Sequence, residues 1–247
     1  MKLVITDNYE QLSQQAANLV VDALKKKADL VLGLATGSTP EGLYAALSRL
    51  HRERALDFSA VTTFNLDEYL DLPGDHPQSY RYFMERHLFS QVNINSSQIN
   101  IPSGCSADPV SECLEYDRRI KAKGGIDLQI LGIGVNGHIG FNEPARQLKV
   151  GTHLVKLSAE TIEANSRFFS STDEVPRRAI TMGLGSIMQA RQVVLLASGI
   201  TKAEAIRDTV SGLVSTAVPA SLLQLHRNVT VLVDRAAAAL VDKPADI

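Results

Sequence analysis

Cysteine is scarce in this chain: its 247 residues include two, Cys105 and Cys113, and neither stands at metal-ligand spacing. That excludes a disulfide framework and a thiolate metal site, and it fits a reduced, cytoplasmic protein with free thiols. An excess of charge of one sign is missing too. The formal net charge is −2, with 25 basic and 27 acidic residues mixed along the whole length. This leaves no electrostatic footprint for nucleic acid and no polybasic patch for a membrane. The most basic run, Lys25-Lys26-Lys27, reads as the complement of a helix C-terminus. No apolar run approaches the roughly 20 residues needed to cross a bilayer. The opening MKLVITDNYEQ turns polar after four apolar residues, too few for a signal-peptide core. A G-x-S-x-G nucleophile elbow is absent as well, and the glycine turn in GLATGSTP (33–40) is neither a Gly-Lys-Ser/Thr phosphate loop nor a G-x-G-x-x-G dinucleotide fingerprint.

What is present is a regular alternation of apolar runs and amphipathic stretches in a chain that is 45% hydrophobic. KLVIT (2–6), DLVLGLA (29–35), AVTTFNL (60–66), GIDLQILGIG (125–134), RQVVLLASG (191–199) and NVTVLVD (228–234) read as strands. Helices are expected after Asp7 as cap, from Thr39-Pro40-Glu41, over 77–89 and 108–122, along TKAEAIRDTVSG, and at the AAAA of 236–239. The segment SAETIEANSRFFSSTDEVPRRAIT is polar and helix-prone. Near-continuous apolar strands between amphipathic helices imply one α/β domain, 1–247, of Rossmann-like type: a mostly parallel sheet with helices on both faces. In such sheets ligands bind beyond the carboxyl ends of the strands, and the polar clusters of this chain fall there.

After the second strand comes Thr36-Gly37-Ser38-Thr39. Gly37 would let the backbone approach a ligand, and Ser38 and Thr39 add hydroxyls beside the first N–H groups of a helix, a good phosphate seat. An ordinary strand-to-helix turn would look the same. Phosphate also wants cations, and Arg167 and Lys202 are the candidates by position. After the third strand, Asp67 and Glu68 are adjacent and so point apart. One could be a base and the other a brace for the loop, or both could belong to a solvated acidic turn with Asp71 and Asp75. After the next strand, LGIGVNGHIGFNEP (131–144) sets Asn136, His138, Asn142 and Glu143 within eight positions. An imidazole with a carboxylate partner is a tuned general acid/base near neutral pH. A zinc site would need three or four ligands, which one histidine and one carboxylate do not supply.

GLATGSTP, TFNLDEY, GIGVNGHIGFNEP and ANSRFF, in this order, closely resemble the glucosamine-6-phosphate deaminase family, and the likeness runs over nearly the whole chain. The resemblance implies conversion of glucosamine 6-phosphate and water to fructose 6-phosphate and ammonia, with no metal and no organic cofactor. It implies a C2 base at Asp67, ring opening by His138 with Glu143 and Asn136, phosphate binding by Thr36, Gly37, Ser38, Thr39, Arg167 and Lys202, and a cover over the site at 157–180. Some relatives carry aspartate where this chain has Asn136, so a role of Asn136 here is positional. Oligomeric relatives activated by N-acetylglucosamine 6-phosphate use basic residues shortly after NEP. Here that stretch reads ARQLKVGTHLVKL, with His153 and Val155 at the places of interest, so neither the switch nor a hexamer is expected. A monomer or small homo-oligomer is. The alternatives are a 6-phosphogluconolactonase-like hydrolase, which has no use for a C2 base, and a non-catalytic sugar-phosphate sensor, for whose DNA-binding helices there is no spare length.

Overall fold

The computed structural model describes residues 1–157, 162–163, 166, 169, 171 and 174–241. Seven strands form one parallel sheet in the order β1-β10-β9-β6-β2-β3-β5. They are β1 (Lys2–Thr6), β2 (Val31–Leu34), β3 (Thr62–Asn65), β5 (Ile99–Asn100), β6 (Leu128–Leu131), β9 (Gln192–Ala197) and β10 (Val229–Asp234). The remaining three, β4 (Asp67–Tyr69), β7 (His153–Lys156) and β8 (Arg178–Thr181), make a small antiparallel sheet in the order β4-β8-β7.

Side chains alternate across a strand, and here both faces are covered. Leu32, Leu34, Leu128, Ile130, Val194 and Leu196 join one apolar cluster with α1 (Tyr9–Lys26) and α2 (Glu41–Arg52). Val31, Leu131, Val193 and Leu195 join another with α4 (Pro109–Ala122), α5 (Leu184–Gln189) and α6 (Ala203–Val210). The eight-residue α3 (Tyr80–His87) adds Met84 to the first cluster. Burial on both sides is why these strands read as unbroken apolar runs.

Several expectations move. The N-cap of α1 is Asn8, not Asp7: the Asn8 carboxamide accepts from Gln11 N, while Asp7 pairs with Arg235. Helix α2 starts at Glu41 after Pro40, with no side-chain cap from Thr39. Residues 236–239 form turns rather than a helix, pinned by Ala237 N donating to the Asp234 carboxylate. The polar, helix-prone segment ends in a strand, since 178–181 is β8. The three lysines do close α1 as expected, with Lys25 and Lys26 in its last turn and Lys27 as C-cap.

The amino ends of the strands are tied by one carboxylate. Asp127, just before β6, accepts from Lys27 Nζ at 2.6 Å and from Val31 N at 2.8 Å, and Arg191 Nε lies 3.3 Å from its other oxygen. It therefore joins the end of α1 to the starts of β2, β6 and β9. Replacing it strands a backbone N–H and a half-buried ammonium. Asp127→Ala is expected to lower unfolding free energy in urea by about 2–4 kcal/mol while leaving activity per folded molecule unchanged, because this end of the sheet lies opposite the polar clusters.

Candidate active site

The order in which strands are added to the sheet reverses between β6 and β2: β3 follows β2 on one side, and β6 returns to the other. A crevice opens at the carboxyl ends beside such a reversal. Four neighbouring strands, β9, β6, β2 and β3, send their following segments to that end. These carry Lys202, residues 132–143, the 36–39 turn and Asp67 respectively.

Asp67 is the first residue of β4 and is 6% exposed; Glu68 is 2% exposed, so the pair is no solvated acidic turn. Their roles separate by direction. Glu68 turns to the start of α3 and accepts from Tyr69 N, Tyr80 N and Arg81 N, each at 2.9 Å. It closes the helix end that the dipole makes attractive to an anion. Burial still raises its pKa, with those three bonds working against the rise. Asp67 takes no hydrogen bond from any described residue. Burial, and then the charge of Glu68, push its carboxyl up to about 8. A carboxylic acid kept neutral this far up the scale is a strong base once it ionises.

The third loop faces it. Gly140 has φ +56°, and a side-chain carbon there would lie 3.6 Å from Asp67 Oδ2 and 3.0 Å from Thr181 Oγ1. Thr181 pairs with Asp67 across the β4–β8 ladder and accepts from Phe141 N at 3.0 Å. Asn142 donates to the carbonyls of Ile139 and Met182, both at 2.9 Å. The small sheet thus clamps the loop of His138 beside Asp67.

Within that loop, His138 Nδ1 stands 3.2 Å from Glu143 Oε1, in ion-pair range but not aligned as a hydrogen bond. Asn136 Nδ2 donates to Glu143 Oε2 at 2.7 Å, and Asn136 Oδ1 accepts from His138 N at 3.2 Å. Amide, imidazole and carboxylate form one constellation, as expected from the sequence. Gly134 was not foreseen. The imidazole lies where its side chain would be, 2.3–2.5 Å from an ideal Cβ, so only glycine admits the ring.

In the 36–39 turn Gly37 has φ +96° and is exposed. No described residue bonds the hydroxyls of Thr36, Ser38 or Thr39, which leaves them for a ligand. Lys202 closes a short turn (Ile200–Lys202) before α6, half-buried and with no described carboxylate as partner. Burial lowers its pKa. An uncompensated, partly desolvated cation at a strand end is a seat for an anion. Arg167 lies outside the described residues. The described part of the expected cover packs through Leu157, Ile162, Phe169 and Val175 onto Tyr69, Leu72 and Phe141. Tyr69 and Tyr80 stack beside Phe141 with ring centroids 4.7–6.1 Å apart. Sequence reading missed Thr181, Asn142 as a brace, and this aromatic group. All three depend on pairing across long stretches of chain, which no local motif announces. Among the described residues no group of three or more His, Cys, Asp or Glu is placed to hold a metal ion, and no helix is long and apolar enough to cross a membrane.

Known proteins carry the same arrangement of chain. Residues 6–232 match the profile of the family described as glucosamine-6-phosphate isomerases/6-phosphogluconolactonase. The glucosamine-6-phosphate deaminase of Halothermothrix orenii is 56% identical over 241 residues, covering 98% of this chain and 100% of its own. That of Clostridium tetani is 55% identical over the same shares. A solved structure described as a monomeric glucosamine-6-phosphate deaminase superposes with a TM-score of 0.95 at 48% identity, over 97% of this chain and 100% of the other. The chain is a member of the glucosamine-6-phosphate isomerase/6-phosphogluconolactonase family.

Proposed function

We propose that this protein is a glucosamine-6-phosphate deaminase, which turns glucosamine 6-phosphate and water into fructose 6-phosphate and ammonia. The observation that carries the reading is a buried Asp67, with no hydrogen bond from any described residue, facing the loop that holds His138 and Glu143 together. A lactonase needs water delivered to C1 and nothing at C2. A carboxyl with raised pKa, set apart from the imidazole, suits a reaction with two separate proton transfers.

In this reading the 36–39 turn and Lys202, with Arg167, grip the phosphate. The sugar is thereby oriented, and orientation can replace up to roughly 7–11 kcal/mol of entropic barrier in well-fitted cases. His138 moves the C1 hydroxyl proton to the ring oxygen and opens the ring. Glu143 balances the charge on the imidazole, and Asn136 positions both. Asp67 then takes the C2 proton, and a proton returns at C1, leaving an imine at C2. Water adds to that carbon and ammonia departs, which makes the last step hydrolytic. The ammonium on C2 of the bound sugar favours the carboxylate form of Asp67, so arrival of substrate readies its own base. Leu157, Ile162, Phe169 and Val175, packed against Tyr69 and Phe141, would help to keep water from these intermediates. A soluble cytoplasmic setting and a monomeric or small assembly accord with the free thiols and with the monomeric relative.

Asp67→Asn is expected to abolish ammonia release while fructose 6-phosphate still binds; normal turnover would remove Asp67 from the role. The same change has a sign in stability. A carboxyl with a raised folded pKa favours the fold below its unfolded pKa of about 3.9, and that contribution is lost as pH climbs towards about 8. Asp67→Asn removes this loss. Its stability relative to the parent should therefore rise between pH 5 and pH 8, by roughly a few kcal/mol in urea titrations. Regulation is tested separately. His153 lies in β7 with Nδ1 on Gly151 O, and burial lowers its pKa, so it offers no cation to a second phosphosugar. Rates should follow a simple hyperbola in substrate and stay the same when N-acetylglucosamine 6-phosphate is added at subsaturating substrate; activation would contradict this.

A further inference from the structure

We infer that Tyr9, which belongs to none of the loops at the site, is a positioning residue for the anion-binding turn at 36–39. This inference rests on the reading of that turn as the phosphate subsite.

Tyr9 is the first residue of α1, and its place is fixed before its side chain acts. Asn8 caps the helix by accepting from Gln11 N at 2.9 Å, and Thr6 Oγ1 donates to Asn8 O at 3.1 Å. From there the phenol crosses to the next helix. Its hydroxyl donates to Ser38 O at 3.0 Å and accepts from Gly42 N at 2.8 Å. The two bonds bracket Thr39, Pro40 and Glu41, the stretch in which the turn becomes α2. They also fill a gap. Helix α2 has no side-chain cap, so the Tyr9 hydroxyl satisfies one of the N–H groups that a helix start leaves unpaired.

A second observation comes from the partner residue. A side-chain carbon on Gly42 would fall 2.2 Å from Ser13 Oγ and 3.0 Å from the Tyr9 hydroxyl oxygen. Glycine at 42 is what lets α1 and α2 approach closely enough for the phenol to reach. Burial does not account for Tyr9, which is 37% exposed on the wall of an open cleft of about 790 Å³. Loss of its hydroxyl therefore opens no void in a core.

The consequence follows from where the bonds fall. Without them, Ser38 O and Gly42 N turn to water, and the segment around the exposed Gly37 gains conformations that substrate binding must then remove. The loss belongs to recognition of the phosphate. Asp67, His138 and Glu143 stand on other loops and are untouched.

Tyr9→Phe keeps the ring and removes the two bonds. KM for glucosamine 6-phosphate and the inhibition constant of inorganic phosphate should rise together, by about three- to tenfold, with kcat within twofold of the parent. Gly42→Ala, which drives the helices apart with Tyr9 intact, should give the same pattern. The double variant should be no worse than the more affected single one, since both break one contact. As a reference, Ser38→Ala combined with Thr39→Ala tests the turn itself. If the reference variant weakens phosphate inhibition and Tyr9→Phe leaves it at the parent value, the inference about Tyr9 is wrong and the subsite stands. If the reference variant leaves phosphate inhibition unchanged, the subsite reading fails instead. A fall in kcat with an unmoved phosphate constant in Tyr9→Phe would also overturn the inference.

Discussion

Asp67 is kept from water by a backbone pairing. Opposite it across a three-strand antiparallel sheet stands Thr181, and the hydroxyl of Thr181 holds the N–H of Phe141. One ladder thus buries a carboxyl, gives it no bond from a described residue, and presses the loop of His138 against it. Desolvation raises the pKa to about 8, and the same contacts place an imidazole–carboxylate pair nearby. The adjacent Glu68 shows how far surroundings decide. It is equally buried, yet three backbone N–H groups meet its oxygens, and it serves as a helix brace.

The two ends of the parallel sheet divide the labour. At the amino ends Asp127 is fully engaged by Lys27, Val31 and Arg191, and nothing is left for a ligand. At the carboxyl ends no described residue pairs with the hydroxyls of the 36–39 turn, the ammonium of Lys202 or the carboxyl of Asp67. Unsatisfied groups cost stability, and they gather where a phosphosugar would satisfy them. Tyr9 extends this pattern outward, since a bond made at the helix surface sets the shape of the turn beneath it.

Much of this was legible from residue order alone. Strands buried on both faces announce themselves as apolar runs, and six of the seven parallel ones were placed that way. Strand β5 has two residues and gives no periodic signal. The antiparallel sheet was invisible for a related reason: β4 has three residues, and its partner β8 lies more than a hundred positions away, behind a polar segment. The cluster of Asn136, His138 and Glu143 was readable because its members are close in the chain. The choice of Asp67 over Glu68 came from the family resemblance and not from spacing, because adjacent residues in a strand point to opposite faces and only the packing says which face is which. Gly134 could have been suspected from its place four residues before His138, but the need for it exists only once the loop folds back.

The raised pKa of Asp67 is the claim on which the division of proton transfers depends. Carbon-13 NMR of the side-chain carboxyls, with Asp67→Asn used to assign the resonance, measures it directly in the free enzyme. The resonance should titrate near pH 8, and its midpoint should fall when an amino-sugar phosphate carrying an ammonium is bound. A midpoint near the ordinary carboxylate value of about 4 would contradict the account, since the buried site would then hold an anion to which no described residue gives a hydrogen bond.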